Sequence, residues 1–231
     1  MSTEILKQKF YGWRMIAGAN LVDFFSAGLA FYAYAVFFGF IQEEFSASRF
    51  LVSLTVSITI LAAGIYSPLL GYILDKFPIK KVLTIGALIF VLGFILLSIT
   101  QTFFQFLLVY GVVIALGMVI FGNLSTSKLI ANWFNEKIGT ALGYASIGLS
   151  FSGVIIPPIA VFLISSFTWR GAYLLFGTFV LIICSISAYK FFIDKPEDVG
   201  QFPDGVEGDL LADKISSANV LSFKDILSNS I

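Results

Sequence analysis

The sequence predicts an all-α membrane protein built from six transmembrane helices. Six apolar segments carry that prediction: Trp13–Phe40, Phe50–Leu74, Val82–Ile99, Phe104–Ile130, Gly139–Ser165 and Gly171–Ile193. Each supplies close to the roughly 20 helical residues that a hydrocarbon core of about 30 Å requires. Hydrophobic residues make up 58% of the chain and charged residues 12%, a balance foreign to soluble domains. The basic residues fall on alternate sides of the segments. With the N-terminus inside, Lys7, Lys9, Arg14, Lys76, Lys80, Lys81, Lys128, Lys137, Lys190 and Lys195 lie at inner loops and helix ends, against Arg49 and Arg170 outside. This asymmetry follows the positive-inside rule, so both termini are expected in the cytoplasm and the protein in the inner or plasma membrane.

The elements follow in order. Residues 1–12 read as a short cytoplasmic lead, and the apolar run after it is too long for a signal peptide, so it is expected to be retained. The first span carries Asn20, Asp23, Ala27, Phe31 and Tyr34 on one helical face. On the second, Ser53, Ser57, Ile60, Gly64, Ser67 and Gly71 recur at three- and four-residue intervals, all but Ile60 being Ser or Gly, and the fifth does the same with Gly139, Gly143, Ser146, Ser150, Gly153 and Pro157. Small residues on one face let helix backbones approach closely in lipid. The third and sixth spans are almost uniformly apolar and are expected to face lipid all round. The fourth has Asn123, Thr126 and Ser127 in its inner half. Trp13, Trp133 and Trp169 all fall at expected membrane–water boundaries, where an amphipathic ring is well placed.

After Lys195 the composition shifts to Pro, Gly and acids, which reads as a solvated linker over residues 196–231. Ser222 to Leu227 then opens what reads as an amphipathic helix, with Ser222 as N-cap and Asp225 three residues on. A linker leading into the start of a helix points to a further portion downstream.

Whole classes of chemistry are absent. The chain has no histidine, which removes a Ser–His triad, a His-ligated metal centre and a histidine proton relay. Cys184 is the single cysteine, so no intrachain disulfide forms. A Ser–Lys hydrolase would need a lysine such as Lys128, but that residue sits at a helix end, where snorkelling to the headgroups accounts for it. Zero net charge points away from nucleic acid. No enzymatic activity, cofactor or metal is expected.

Asp23 is the acidic residue that clearly falls inside a span, about ten residues and hence roughly 15 Å from the cytoplasmic end. A charge at that depth costs at least roughly 2.5–3.5 kcal/mol on insertion scales, so it must face protein or a wet cavity. Two readings stand: a proton carrier, or a structural carboxylate bonded to a neighbouring helix.

Two loops carry a family resemblance. Gly71-Tyr-Ile-Leu-Asp75-Lys76-Phe-Pro78-Ile-Lys80-Lys81 resembles the signature between helices 2 and 3 of the major facilitator superfamily, with Pro78 where Gly is usual. Trp133-Phe-Asn-Glu-Lys137-Ile-Gly139-Thr-Ala141-Leu-Gly143-Tyr-Ala145-Ser-Ile-Gly148 resembles the fifth-helix signature of its monocarboxylate-transporter-like members, with Glu136 and Ile138 at positions often basic there. Trp169-Arg170-Gly171-Ala172-Tyr173 and Lys195-Pro-Glu-Asp-Val-Gly, with Pro203-Asp-Gly, are similar to the sixth-helix start and central loop of these and the oxalate/formate-type transporters.

The resemblance implies two inverted three-helix repeats, together half of a twelve-helix fold, with helices 1 and 4 lining a cavity and helices 2 and 5 facing the other half. It implies secondary transport of a small organic anion, a monocarboxylate or dicarboxylate, by alternating access, coupled to H+ or to a counter-anion, and a second six-helix half as partner. On that footing Asp23 and Asn20 are candidates for coupling or cavity polarity, and Tyr34, Asn123 and Ser127 for substrate contact. Gly71, Asp75, Lys76, Lys80 and Lys81 are candidates for the interdomain latch, and Gly64, Gly143, Ser146, Ser150 and Gly153 for helix packing. For Tyr34 and Asn123 the alternative is interhelical hydrogen bonding worth roughly 0.6 kcal/mol each. The rival for the whole chain is a truncated or split membrane module that needs a second six-helix chain and transports nothing alone.

Overall fold

The structure is a computed structural model and describes residues 10–205. Lys7 and Lys9, most of the lead, and the linker from residue 206 on, including the helix expected at Ser222, lie outside the described residues. Within them the protein is helical and has no strand. Five helices are long and apolar enough to cross a membrane: α1 Gly12–Glu44, α2 Arg49–Lys76, α3 Ile79–Ser98, α4 Phe103–Trp133 and α5 Ile138–Lys190.

The last of these covers both the fifth and the sixth expected span. Its 53 helical residues would run about 80 Å if straight, far beyond a bilayer core. The stretch doubles back at Thr168, whose φ of 65° and ψ of 166° are not helical. Gly148 and Phe191, on either side of that break, both meet α1, at Asn20 and Gly18. The connection expected between Ser165 and Gly171 is thus compressed into one residue. A β-branched side chain at positive φ is strained, and the contacts around it hold the turn. Arg170 donates to the Glu44 carboxylate at 2.6 Å and to the Thr100 carbonyl at 2.9 Å, joining the outer ends of α1, α3 and α5.

Local chemistry sets the helix ends. Ser48 caps α2 by accepting from the Leu51 N–H, and Thr102 with Gln105 forms a reciprocal capping box at the start of α4. Helices α3 and α5 have no cap of their own: Pro78 and Lys137 stand at their N-cap positions without a side-chain bond. Their caps arrive from the far end of the chain. Asp194 accepts from the Lys80 N–H at 2.9 Å, and Asp204 accepts from the N–H groups of Asn135, Glu136 and Lys137. Asp204 does so from a left-handed conformation, φ 59°, which Asp tolerates.

The described part of the expected solvated linker, residues 196–205, is therefore anchored, as two short 3₁₀ turns, Pro196–Val199 and Pro203–Gly205. Gln201 takes the Tyr11 N–H, and just before the turns Ile193 takes the indole N–H of Trp133. Composition read these residues as solvated because a carboxylate that caps a distant helix looks, in sequence, like any loop acid.

Helix α1 is the centre of the bundle. It packs along α5 on both sides of Thr168 and along α4, and its outer end holds an aromatic cluster. Phe37 stacks on Tyr173 at 4.2 Å, and Tyr34 lies 4.7 Å from Tyr110. Wide π-helical turns occur in α1 at Gly28–Tyr32 and in α4 at Val109–Ile114. Such turns loosen the backbone ladder, and the Tyr110 hydroxyl donates to the Ala30 carbonyl at 2.7 Å, so the two turns are tied to each other.

Three expectations are corrected. Helix α3 does not face lipid all round: Gly86, Phe90, Gly93, Phe94 and Leu97 are buried, while Ile85, Leu88, Leu92 and Ile95 are exposed. Gly117 of α4 meets the Phe90 backbone so closely that a Cβ would lie 2.6 Å from its Cα, which requires glycine there. Nor does the sixth span face lipid all round: Ala172, Tyr173, Phe176 and Val180 are buried, as are the rings of Trp133 at the end of α4 and Trp169 at the Thr168 turn, while Trp13 is exposed. Lys128 is not a lone snorkelling lysine, because it pairs with Asp75 at 2.8 Å and joins α4 to α2.

The crossing of α1 on α5 turns on Gly148. A Cβ there would lie 2.3 Å from the Asn20 carbonyl oxygen, whereas Gly143 on the same helix has open space around it. Gly148→Ala is expected to lower stability by about 1–3 kcal/mol and Gly143→Ala to leave the isolated chain nearly unchanged. Thermal unfolding of the two variants in detergent checks this.

Candidate functional site

The site grows from a defect in α4. At Phe121 (φ −93°, ψ 57°) and Gly122 (φ −161°, ψ −161°) the helix stops, and a new helical segment, Asn123–Trp133, begins. That segment is 11 residues long, so its start lies roughly 16 Å from the inner end of α4, inside the bilayer. Irregular backbone at that depth survives only where its polar groups find partners. Here they do. Ser125 donates back to the Ile120 carbonyl at 2.7 Å, and Ser26 of α1 donates to the Met118 carbonyl at 3.3 Å. Gly122 has no room for a side chain, since a Cβ would meet the Met118 carbonyl at 2.4 Å.

Asp23 faces the start of this inner segment. It is 1% exposed, and the Thr126 hydroxyl donates to both carboxylate oxygens, at 2.9 and 3.1 Å. The Asn123 amide donates to one of them at 3.4 Å. Both donors belong to the first turn of the segment, where unpaired N–H groups give the helix end a partial positive charge. A hydroxyl, an amide and a helix end together account for a carboxylate in hydrocarbon. Beside it lies a cavity of about 200 Å³ lined by Ser26, Phe31, Ser67, Asn123 and Leu149 among others, contributed by α1, α2, α4 and α5.

The structure brings some of the sequence candidates together and separates others. Asp23 and Asn123 meet, and Ser127 joins them through a 3.5 Å contact with the Asn123 side-chain oxygen. Asn20 does not reach Asp23. Its carboxamide instead bridges one turn of α5, accepting from the Gly148 N–H at 2.6 Å and donating to the Tyr144 carbonyl at 2.9 Å. Tyr34 is buried and donates to the Val52 carbonyl at 2.8 Å, so its hydroxyl ties α1 to α2.

In the last turn of α2, Asp75 is paired with Lys128, and Lys76 donates to the Tyr72 hydroxyl and lies over that ring. Lys80 and Lys81 are exposed at the start of α3, where α5 ends. Of the packing candidates, Gly153 lies against the Tyr32 ring and Ser146 bonds to its own helix at Leu142. Gly64 and Gly143, like Gly71 and Gly139, have nothing within 4 Å, and Ser150 is exposed. The small-residue stripes of α2 and α5 therefore point away from this bundle.

Sequence reasoning missed Ser26, Gly122, Gly148 and Lys128 as parts of this arrangement, and noted Thr126 without giving it a role. The readable signal for the break was Gly122-Asn123 inside an apolar run, a turn-forming pair in a membrane span.

The family model described as Major Facilitator Superfamily matches residues 24–230. The chain belongs to the major facilitator superfamily. It is 29% identical over 189 residues to a mouse protein named monocarboxylate transporter 6, covering 81% of this chain and 39% of that protein. It is also 29% identical over 182 residues to mouse monocarboxylate transporter 4, covering 77% and 37%. With the Bacillus subtilis protein named uncharacterized MFS-type transporter YcxA it shares 27% identity over 135 residues, covering 58% and 33%. The chain thus spans less than two fifths of the length of these relatives. These relatives are all named as transporters.

Thr126 is the main support of the Asp23 carboxylate. Thr126→Val, which keeps the volume and removes the hydroxyl, is expected to destabilise the folded chain by about 1.5–3 kcal/mol, the range for a hydrogen bond to a charged group. Thr126→Ser is expected to stay near wild type. Unfolding in detergent, followed by the helical signal against temperature, separates the two.

Proposed function

We propose that this chain is the six-span half of a secondary transporter that moves a small organic anion, a monocarboxylate or dicarboxylate, by alternating access. The buried Asp23 carboxylate, held at a helix start inside the bilayer beside a cavity, carries this reading. The family and the names of the similar proteins support it. Counting the stretches of α5 before and after Thr168 separately gives six spans, arranged as two inverted three-helix repeats. The lysine-rich end, with both termini, is cytoplasmic by the positive-inside rule.

The mechanism uses the polarity of the α4 break. At the start of the inner segment the Ser125 and Thr126 N–H groups share the Gly122 carbonyl, the N–H groups ahead of them have no carbonyl one turn back in the segment, and Asn123 opens onto the cavity. A substrate carboxylate is recognised there by the same attraction that holds Asp23. Two carboxylates cannot share one helix end at low cost. When Asp23 takes a proton, its charge leaves the site and the Asn123 amide is free to turn to the substrate. Anion and proton then load together, which is symport.

The outward-facing small residues of α2 and α5, Gly64, Gly71, Gly139 and Gly143 among them, form the face for a second six-helix half, supplied by a separate chain or by a longer form of this one. Gly71, Asp75 and Lys76 make the interdomain latch, with Asp75 already tied to Lys128 within this half.

The rival reading, a module that does not transport alone, is separated by assembly state. Native mass spectrometry of the solubilised chain is expected to show a dimer or a complex with a second six-helix chain, and proteoliposomes of that particle are expected to take up a labelled short monocarboxylate. A monomer without uptake would assign this chain to the rival reading.

A further inference from the structure

We propose that the junction between the start of α3 and the end of α5 is a binding site for the headgroup of an anionic phospholipid. Three groups of observations meet there.

The first is charge without a partner. Lys80 and Lys81 occupy the first turn of α3, which has no acidic residue in that turn. A helix start carries partial positive charge, so two ammonium groups there oppose the dipole, and the single Asp194 carboxylate that caps this start offsets only part of that charge. Lys190, in the last turn of α5, and Lys195 just beyond it are also exposed. The bond from the Lys80 N–H to Asp194 at 2.9 Å shows that the two chain segments lie side by side. Among the described residues the two ion pairs are Lys128–Asp75 and Arg170–Glu44, and neither engages these four lysines. The acids nearby are committed in part: Asp194 caps α3, and Asp198 accepts from the Lys195 N–H, with Glu197 between them on the strap.

The second is position. Helices α3 and α5 pack on each other at Gly177, where a Cβ would lie 3.6 Å from Val91 and Phe94. Away from that seam most of their exposed residues are apolar, Ile85 and Leu88 on α3 and Ile182 and Ile186 on α5 among them, while the exposed Thr178 and Ser185 hydroxyls bond back to their own helix. Such a surface belongs against acyl chains. The lysines stand at its lysine-rich edge, the level of the headgroups.

The third is an aromatic marker. Tyr189, next to Lys190, is 89% exposed, and Phe77, just before α3, is 58% exposed. Exposed aromatic rings at a helix end suit the membrane–water interface, where a phenol reaches the headgroup region while its ring remains among chains. Basic pockets between membrane helices bind phosphate-bearing headgroups in this manner. The occupant is a lipid phosphate rather than a soluble one, because the cationic cluster continues directly into an acyl-facing surface.

This assigns Lys80 and Lys81 to lipid rather than to the other half of the transporter. It does not depend on which substrate is carried.

The test is lipid retention by the full chain. Wild type would be purified in mild detergent, titrated with phosphatidylglycerol or phosphatidylcholine, and analysed by native mass spectrometry. Wild type is expected to retain phosphatidylglycerol in preference to phosphatidylcholine, and Lys80→Gln/Lys81→Gln/Lys190→Gln to weaken that retention strongly. At about 1 kcal/mol for each lysine near the surface, each substitution is worth about fivefold. A control, Lys76→Gln/Lys137→Gln, changes charge at the same end of the molecule and is expected to leave retention within twofold. If the triple variant does not yield a monodisperse helical protein, Lys81→Gln alone is titrated, with a fivefold loss expected. Equal retention by wild type and variant would overturn the proposal, and so would equal loss in the control. Complete displacement by millimolar inorganic phosphate would do the same, since it would mean a soluble anion site.

Discussion

The constraint on which the rest of the structure depends is that a carboxylate inside hydrocarbon must be answered by fixed donors. Asp23 is answered by Thr126 and Asn123, and both can reach it because α4 stops and restarts at Gly122. A continuous helix would have hidden its N–H groups in its own ladder. The break exposes them, and in turn creates orphan carbonyls that Ser26 and Ser125 satisfy. One ionisable side chain therefore explains a glycine without room for a Cβ, two serines, a threonine and an asparagine on two helices. None of these residues is needed for an apolar bundle to pack.

Around that point the bundle is organised to keep α1 in place. Its inner part is held to α5 by the Asn20 carboxamide over Gly148, its middle to α4 by Tyr110, and its outer part to α2 by Tyr34. In lipid there is no hydrophobic drive between helices, so close packing and interhelical hydrogen bonds must supply the specificity. The strap after α5 completes this by returning two aspartates to cap α3 and α5. The first residues of the expected linker thus belong structurally to the helical domain.

What was legible in the sequence follows from which forces act over short range. Span length and lysine placement report directly on the bilayer, and the apolar segments were read at nearly the bounds seen. Fifth and sixth spans merged only because their connection is a single residue, Thr168, with no turn-forming glycine or proline at the break. Contact between helices was harder. A uniformly apolar helix such as α3 offers no polar face to mark its exposed side, although Gly86 and Gly93, seven residues apart, lay on the buried one. Tyr34 was a sound reading of polarity on an inner face, but a hydroxyl satisfied by a neighbour's carbonyl and one facing a substrate look alike in sequence. Lys128 and Asp75 lie 53 residues apart, and only the fold brings them together.

The central claim is that Asp23 carries the coupled proton at the α4 break. The measurement that tests it most directly is uptake of a labelled monocarboxylate into proteoliposomes by the assembled transporter carrying Asp23→Asn, with and without a pH gradient. The account predicts that uptake driven by the gradient is lost while exchange of substrate for substrate continues. Uptake that still follows the gradient in the Asn variant would contradict it and leave Asp23 as a structural carboxylate.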